Sequence, residues 1–246
     1  MPEHAAPSEP TVTSRAVVLL PTYNEADNLP RIVPAILAAA PVDLMVLDDA
    51  SPDGTGTHAD ALARLHPRLK VVHRPSKQGL GPAYLDGFRR ALAGGYEQIV
   101  QMDADFSHSP DVLPELLRLG HSYDLVLGSR WVPGGGTRNW PLSRQFISRL
   151  GSLYTRTLLQ LPVRDLTGGF KCFHRRVLDA IDLDQVSSTG YVFQIEMTYR
   201  AILQGFRITE IPITFSDRLY GTSKMNRRIV LEAFLQVPKL RLAARR

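Results

Sequence analysis

Short apolar runs that alternate with stretches of helical periodicity constrain this chain most. Residues 16–20, 44–47, 69–72, 97–102 and 124–127 read as buried strands, and residues 208–215 as a later one. Pro21 is read as closing the first. A helix is expected from an N-cap at Asn24, with Asp27 three residues on, to about Ala39. Others are expected near 57–65, around 82–93 and after Pro110. This alternation predicts an α/β fold, a Rossmann-like and mostly parallel sheet with helices on both faces.

The pattern changes after Arg130. Gly134-Gly135-Gly136 reads as a flexible segment, because glycine admits backbone conformations closed to other residues. Helices are then predicted at about 143–161, at 193–203 and over 228–246. In the first of these, Phe146, Ile147, Leu150, Leu153, Tyr154 and Leu158 recur at helical spacing among Arg144, Arg149 and Arg156. An apolar face with basic flanks suits a membrane interface; packing onto the core is the competing expectation. With no internal repeat and no long linker, residues 15–246 are read as one domain. Residues 1–14, rich in Pro, Ala, Ser and Thr, read as a flexible tail without signal-peptide character.

Charge and cysteine content narrow the partners. The chain of 246 residues carries 29 basic and 24 acidic side chains, a net +5 that favours anionic partners. Basic residues gather late: Arg218, Lys224, Arg227, Arg228, Lys239, Arg241, Arg245 and Arg246. No recognised nucleic-acid module accompanies them, so phosphate substrates and a membrane surface, not nucleic acid, are the expected partners. The single cysteine, Cys172, excludes an internal disulfide and a zinc cluster, and is read as a small buried residue in a reducing compartment. No apolar stretch is long enough to cross a bilayer. The expected location is cytoplasmic, peripheral on the cytoplasmic face of a membrane.

The residues with chemical character lie at strand ends. Asp103-Ala104-Asp105 follows the strand that ends at Met102 and delivers two carboxylates one residue apart. Mg²⁺ or Mn²⁺ takes such oxygen ligands and completes its shell with substrate phosphates. Pro21-Thr22-Tyr23-Asn24-Glu25 lies where the first strand meets its helix, a position at which open α/β sheets bind ligands. Tyr23 there can stack on a base or ribose. Asp48-Asp49 ends the second strand before Ser51-Pro52-Asp53-Gly54; Asp49 is read as accepting hydrogen bonds from a nucleoside and Asp53 as turn chemistry. Residues 74–81 form a basic, glycine-bearing loop entering a helix, which suits anions, although Lys77 reads equally well as solvated.

Taken in order, Pro-Thr-Tyr-Asn-Glu, Asp-Asp-x-Ser-Pro-Asp-Gly-Thr, Gly-Leu-Gly-x-Ala, Met-Asp-Ala-Asp and Gly-Ser-Arg resemble the family 2 glycosyltransferases. The later strings narrow the likeness to dolichol- or polyprenol-phosphate mannosyltransferases. They are Gly135-Gly136 with Trp140 and Arg144, Asp165-Leu166-Thr167-Gly168-Gly169-Phe170-Lys171, Gly190-Tyr191-x-Phe193-Gln194-x-Glu196, and Arg218-x-x-Gly221-x-Ser223-Lys224. The resemblance runs from about Val17 to Met225. It implies a GT-A fold in which Pro21, Tyr23, Glu25, Leu47 and Asp49 line the nucleotide pocket. Asp103, Ala104 and Asp105 would then meet the diphosphate. Arg130, Arg144, Arg218 and Lys224 match cationic positions around the phosphates, Arg130 and Arg144 for the acceptor. Asp103 and Asp105 match the metal positions. The expected third metal ligand is Ser107, which stands where the family carries a glutamine. Asp103, Asp105 and Arg218 are the expected catalytic residues.

The resemblance implies transfer of mannose from GDP-mannose to a polyprenyl phosphate. Such a phosphate, with a second pKa of about 6, is already largely anionic and attacks without a dedicated base. Many synthases of this kind add transmembrane helices; this sequence resembles the peripherally attached form, which relies on a separate membrane protein. Transfer of another sugar, such as glucose from UDP-glucose, or transfer to a soluble hydroxyl, with Glu196 as base, stays open. A sugar-nucleotide pyrophosphorylase is disfavoured, because 21–25 offers no glycine-rich basic loop.

Overall fold

A computed structural model describes residues 15–217 and 236–242. In chain order the strands are β1 (Ala16–Thr22), β2 (Asp43–Asp48), β3 (Leu69–His73), β4 (Gln98–Gln101), β5 (Leu125–Ser129), β6 (Gly136–Arg138), β7 (Lys171–His174), β8 (Ile208–Pro212) and β9 (Thr214–Ser216). The helices are α1 (Leu29–Ala39), α2 (Thr55–Leu65), α3 (Leu80–Ala93), α4 (Leu113–Gly120), α5 (Leu142–Leu159), α6 (Arg175–Ala180) and α7 (Gly190–Leu203). Residues 236–242 are also helical.

One seven-stranded sheet runs β3-β2-β1-β4-β7-β5-β8, and β6 pairs with β9 in a separate ribbon. The chain steps outward from β1 to β2 and β3, then returns to lay β4 on the other flank of β1. Such a reversal opens a crevice beyond the carboxyl ends of β1 and β4. Strand alternation supplies two cores. Val17 and Leu19 face Tyr84 and Phe88 of α3 and Phe193 of α7; Val18 and Leu20 face Leu29, Ile32 and Ile36 of α1 and Leu113 and Leu116 of α4.

The expected α/β order holds, with local differences. β1 continues through Pro21 to Thr22, because pairing with β4 ends at Leu19 and Pro21 owes no ladder hydrogen bond on that side. Asn24 does not cap α1. It takes φ 60°, and the helix begins at Leu29, after a turn in which the Glu25 carbonyl accepts from the Asn28 and Leu29 N–H groups. The run 208–215 divides at Ile213 between the two sheets. β7 was not expected; it runs antiparallel to both β4 and β5, pairing Lys171 with Gln101 and with Leu127. The tail 1–14 and most of 228–246 lie outside the described residues.

The Gly134–Gly136 segment is a packed turn. Gly134 has φ 85°, and a Cβ on Gly135 would lie 2.5 Å from the Ser129 carbonyl oxygen. Gly135→Ala therefore forces backbone apart at the junction of β5 and β6. It is expected to destabilise the protein by about 1–3 kcal/mol, seen as a lower midpoint in denaturant unfolding, whereas Gly136→Ala, with nothing within 4 Å, should leave the midpoint unchanged.

Candidate active site

A cavity of about 410 Å³ opens at the carboxyl ends of β1, β2 and β4. Of the residues singled out from sequence, Pro21, Tyr23, Glu25, Asp49, Asp103, Ala104 and Asp105 line it together. Leu47 does not: it is fully buried, and its Cδ1 would meet a Cβ on Gly87 of α3 at 2.7 Å. Alternation in β2 turns its side chain into the core. Arg218 and Lys224 lie outside the described residues.

Side-chain caps hold the loops around the cavity in register. The N–H of Asn24 donates to Ser51 Oγ at 3.1 Å, that of Glu25 to Thr55 Oγ1 at 2.9 Å, and that of Ala26 to Asp53 Oδ2 at 3.2 Å. Asp53 also accepts from the Thr55 N–H and hydroxyl, the turn role expected of it. Asp49 is buried, ion-paired with Arg74, and accepts from the N–H groups of Gln78 and Gly79 at 2.9 and 2.8 Å. Asp49 thus clasps loop 74–79 against the cavity. Lys77 on that loop places Nζ 3.6 Å from the centre of the Tyr23 ring, a cation–π contact. Lys77 is exposed, as the solvated reading has it, and also borders the cavity.

The two aspartates differ in environment. The Asp105 carboxylate is buried and accepts from the Ser107 N–H at 3.1 Å and the Ser107 hydroxyl at 2.5 Å. Ser107 is itself buried and faces Asp105, whose carboxylate it holds in one rotamer. The Asp103 side chain is 34% exposed. Its N–H donates to His108 Nδ1 at 3.1 Å, which leaves the proton of the neutral ring on Nε2. Burial pushes His108 below the ordinary imidazole range against the pull of Asp103 and Asp105.

Arg130 lies beneath this level and not on the cavity wall. Its Nε and Nη2 donate to the two Asp165 carboxylate oxygens at 2.7 Å each, and Nη2 also donates to Thr167 Oγ1. Burial raises the Asp165 carboxyl, but the Arg130 charge and hydrogen bonds overcome this and hold it below its usual value. Arg144, near the start of α5, stacks 3.8 Å from the Trp140 ring centre and pairs with Asp217 at 3.1 Å. Lys171 is fully buried, donating to the Gln194 carbonyl at 2.7 Å and Thr198 Oγ1 at 2.9 Å. Burial, with Arg130 adding to it and Asp165 opposing it, lowers its pKa to about 7. Cys172 is buried as expected, and burial pushes its thiol up to about 12.

Thr189, Gly190 and Tyr191 complete the wall from the amino end of α7. Strand-end reasoning missed them, since they come from a helix far along the chain; the Gly-Tyr string was their signal.

Residues 17–182 match the family model described as glycosyl transferase family 2. The chain belongs to that family. It is 50% identical over 94% of its length to an undecaprenyl-phosphate mannosyltransferase of Micrococcus luteus, covering 96% of that protein. It is 49% identical over 92% of its length to a polyprenol monophosphomannose synthase of Mycolicibacterium smegmatis, covering 86% of it. Among solved structures, a glucosyl-3-phosphoglycerate synthase of Mycobacterium tuberculosis with Mn²⁺, UDP-glucose and phosphoglyceric acid superposes with a TM-score of 0.66 at 20% identity, over 94% of this chain and 80% of that one. A mannosyltransferase of Pyrobaculum calidifontis with GDP-mannose and Mn²⁺ gives 0.60 at 19%, over 99% and 77%. The fold is that of the GT-A glycosyltransferases.

The donor set of this family 2 enzyme fits a hard divalent cation in kind: two carboxylates, one of them held in place by Ser107. Among the described residues no group of three or more His, Cys, Asp or Glu gathers to hold a metal, so other oxygens, such as substrate phosphates, must complete a shell. Beneath the site, Lys171 makes stability depend on pH. Between pH 7 and the ordinary lysine value of about 10.4, the unfolded chain binds a proton that the folded protein lacks, so stability rises with pH. Denaturant unfolding across that window should show wild type gaining on Lys171→Met by up to about 1.4 kcal/mol per pH unit; parallel curves would mean that the folded protein keeps this amine charged, as the unfolded chain does.

Proposed function

We propose that this enzyme transfers mannose, with inversion, from GDP-mannose to a polyprenyl phosphate, using Mg²⁺ or Mn²⁺. The observation that carries the reading is the meeting of Tyr23, Glu25 and Asp49 with Asp103 and Asp105 on one cavity wall. Identity of 50% and 49% to two polyprenyl-phosphate mannosyltransferases supports the lipid acceptor and the sugar.

Each residue then has a task. Tyr23 offers a ring face to base or ribose, and loop 74–79, clasped by Asp49, borders the nucleoside. Asp103 and Asp105 would hold the cation, which when bound offsets the charge that grows on the departing diphosphate. An acceptor phosphate oxygen attacks the anomeric carbon as the carbon–oxygen bond to GDP breaks, and the electron pair leaves with GDP. No proton has to be removed from the acceptor. Arg144, held by Trp140 and Asp217, is assigned to the acceptor phosphate, with Arg218 and Lys224 as further phosphate cations. Arg130 is buried and locked to Asp165.

The exposed face of α5 supports a membrane location. Its buried side carries Ser148, Ser152, Thr155 and Leu159, while Leu142, Phe146, Leu150 and Leu153 are more than half exposed. No helix among the described residues is long and apolar enough to cross a membrane. An apolar stripe with Arg144, Arg149 and Arg156 beside it suits peripheral binding to an anionic leaflet, the cytoplasmic one in this reading. A separate membrane protein is the proposed partner.

Asp105→Asn should lower mannosyl transfer to a short polyprenyl phosphate by roughly a hundredfold or more with an unchanged melting curve. Turnover near wild type would remove the cation from the mechanism. Running GDP-mannose beside UDP-glucose, with and without the lipid phosphate, decides donor and acceptor in the same assay.

A further inference from the structure

Gln194 lies in the second turn of α7 and is 2% exposed, yet neither its Nε2 nor its Oε1 has a hydrogen-bond partner within the protein. Its main chain is firmly held, because its carbonyl accepts from Lys171 and from Thr198 Oγ1. The backbone is therefore fixed while the amide is left unpaired, a cost to folding with no local return. Gln101 has the same shortfall but lies inside the sheet, between Leu19 and Lys171.

The direction of the Gln194 side chain follows from the helix. Helical side chains lean toward the amino end, over the residue four earlier. Here that residue is Gly190, which lines the cavity and has no side chain to cover the amide. Gly169 marks the other side. A Cβ built there would lie 3.5 Å from Gln194 Nε2, 3.7 Å from His108 Cε1 and 3.8 Å from Asp103 Oδ1. The amide and the Asp103 carboxylate thus border one small space that glycine keeps open.

We propose that Gln194 reads the donor sugar, pairing its amide with sugar hydroxyls beside Asp103. This rests on the proposed nucleotide-sugar donor. A hydroxyl gives one hydrogen bond and takes another, and the amide lacks one of each kind. A cation would satisfy Oε1 alone and leave Nε2 unpaired, so the sugar accounts for more of the observation.

The test compares GDP-mannose with GDP, and UDP-glucose with UDP, by calorimetry with Mn²⁺ and no acceptor. Whichever nucleotide sugar the wild type binds supplies the comparison, so a wrong donor base or sugar does not disable it. Gln194→Met keeps the volume and removes the amide, so its melting temperature should hold or rise. The expected result is a roughly tenfold loss of affinity for the nucleotide sugar with affinity for the bare nucleotide unchanged. Gln194→Asn, which draws the amide back by one methylene, should show the same selective loss. Equal losses for sugar nucleotide and nucleotide, weaker Mn²⁺ binding, or no loss at all would each overturn the assignment.

Discussion

A lysine in the middle of the sheet sets the terms for everything around it. β7 runs against both its neighbours and carries Lys171 where no water reaches. A buried amine must find oxygen, and Lys171 finds it on α7, at the Gln194 carbonyl and the Thr198 hydroxyl. That bond fixes α7 on the sheet and its amino end at the cavity. The neighbouring Arg130–Asp165 pair works in the same way. Asp165 also accepts the Arg130 N–H, and Glu210 of β8 accepts the N–H groups of Arg164 and Asp165. A buried ion pair adds little net stability once its desolvation is counted. What these bonds supply is position.

Position in the loops around the cavity is obtained by strain. Asn24, Ala50 and Phe106 adopt φ 60°, 56° and 60°. For a residue with a Cβ this conformation costs about 1–2 kcal/mol, and all three lie in loops that bound the cavity. Ala50 directly follows Asp49, and Phe106 stands between Asp105 and Ser107. The turn at Phe106 brings the Ser107 N–H and hydroxyl back onto the Asp105 carboxylate. Observed strain beside the residues of a site is the pattern expected where surrounding bonds over-determine the backbone.

The parts of this arrangement legible in the sequence are those written in local pattern. Apolar runs reveal the parallel strands, and strand-end strings place Tyr23, Glu25, Asp49, Asp103 and Asp105 on one edge. β7 escapes because Lys171-Cys172-Phe173-His174 carries too little apolar character and a charge in its first position. Pairings at long range escape as well. Nothing in the sequence pattern pairs Arg130 with Asp165 or turns the Ser107 hydroxyl to Asp105. Leu47 shows the limit of transferring a whole string: its neighbours reach the cavity, but period-two alternation sends its side chain the other way.

The helix α5 shows what periodicity leaves undecided. Its spacing reveals an apolar stripe but not which side meets the protein. The side that packs carries Ser148, Ser152 and Thr155, so the stripe of Leu142, Phe146, Leu150 and Leu153 is turned outward. In water that orientation exposes apolar surface, at about 25 cal/mol per Å². A helix kept this way round is stabilised only when something apolar covers it. Arg144, whose guanidinium lies on Trp140 near the start of the same helix, places the cation proposed for the acceptor phosphate at one end of that stripe. One rigid element would then dock the lipid surface and hold the lipid's phosphate, so that seating the enzyme on a membrane also sets the height at which its acceptor arrives.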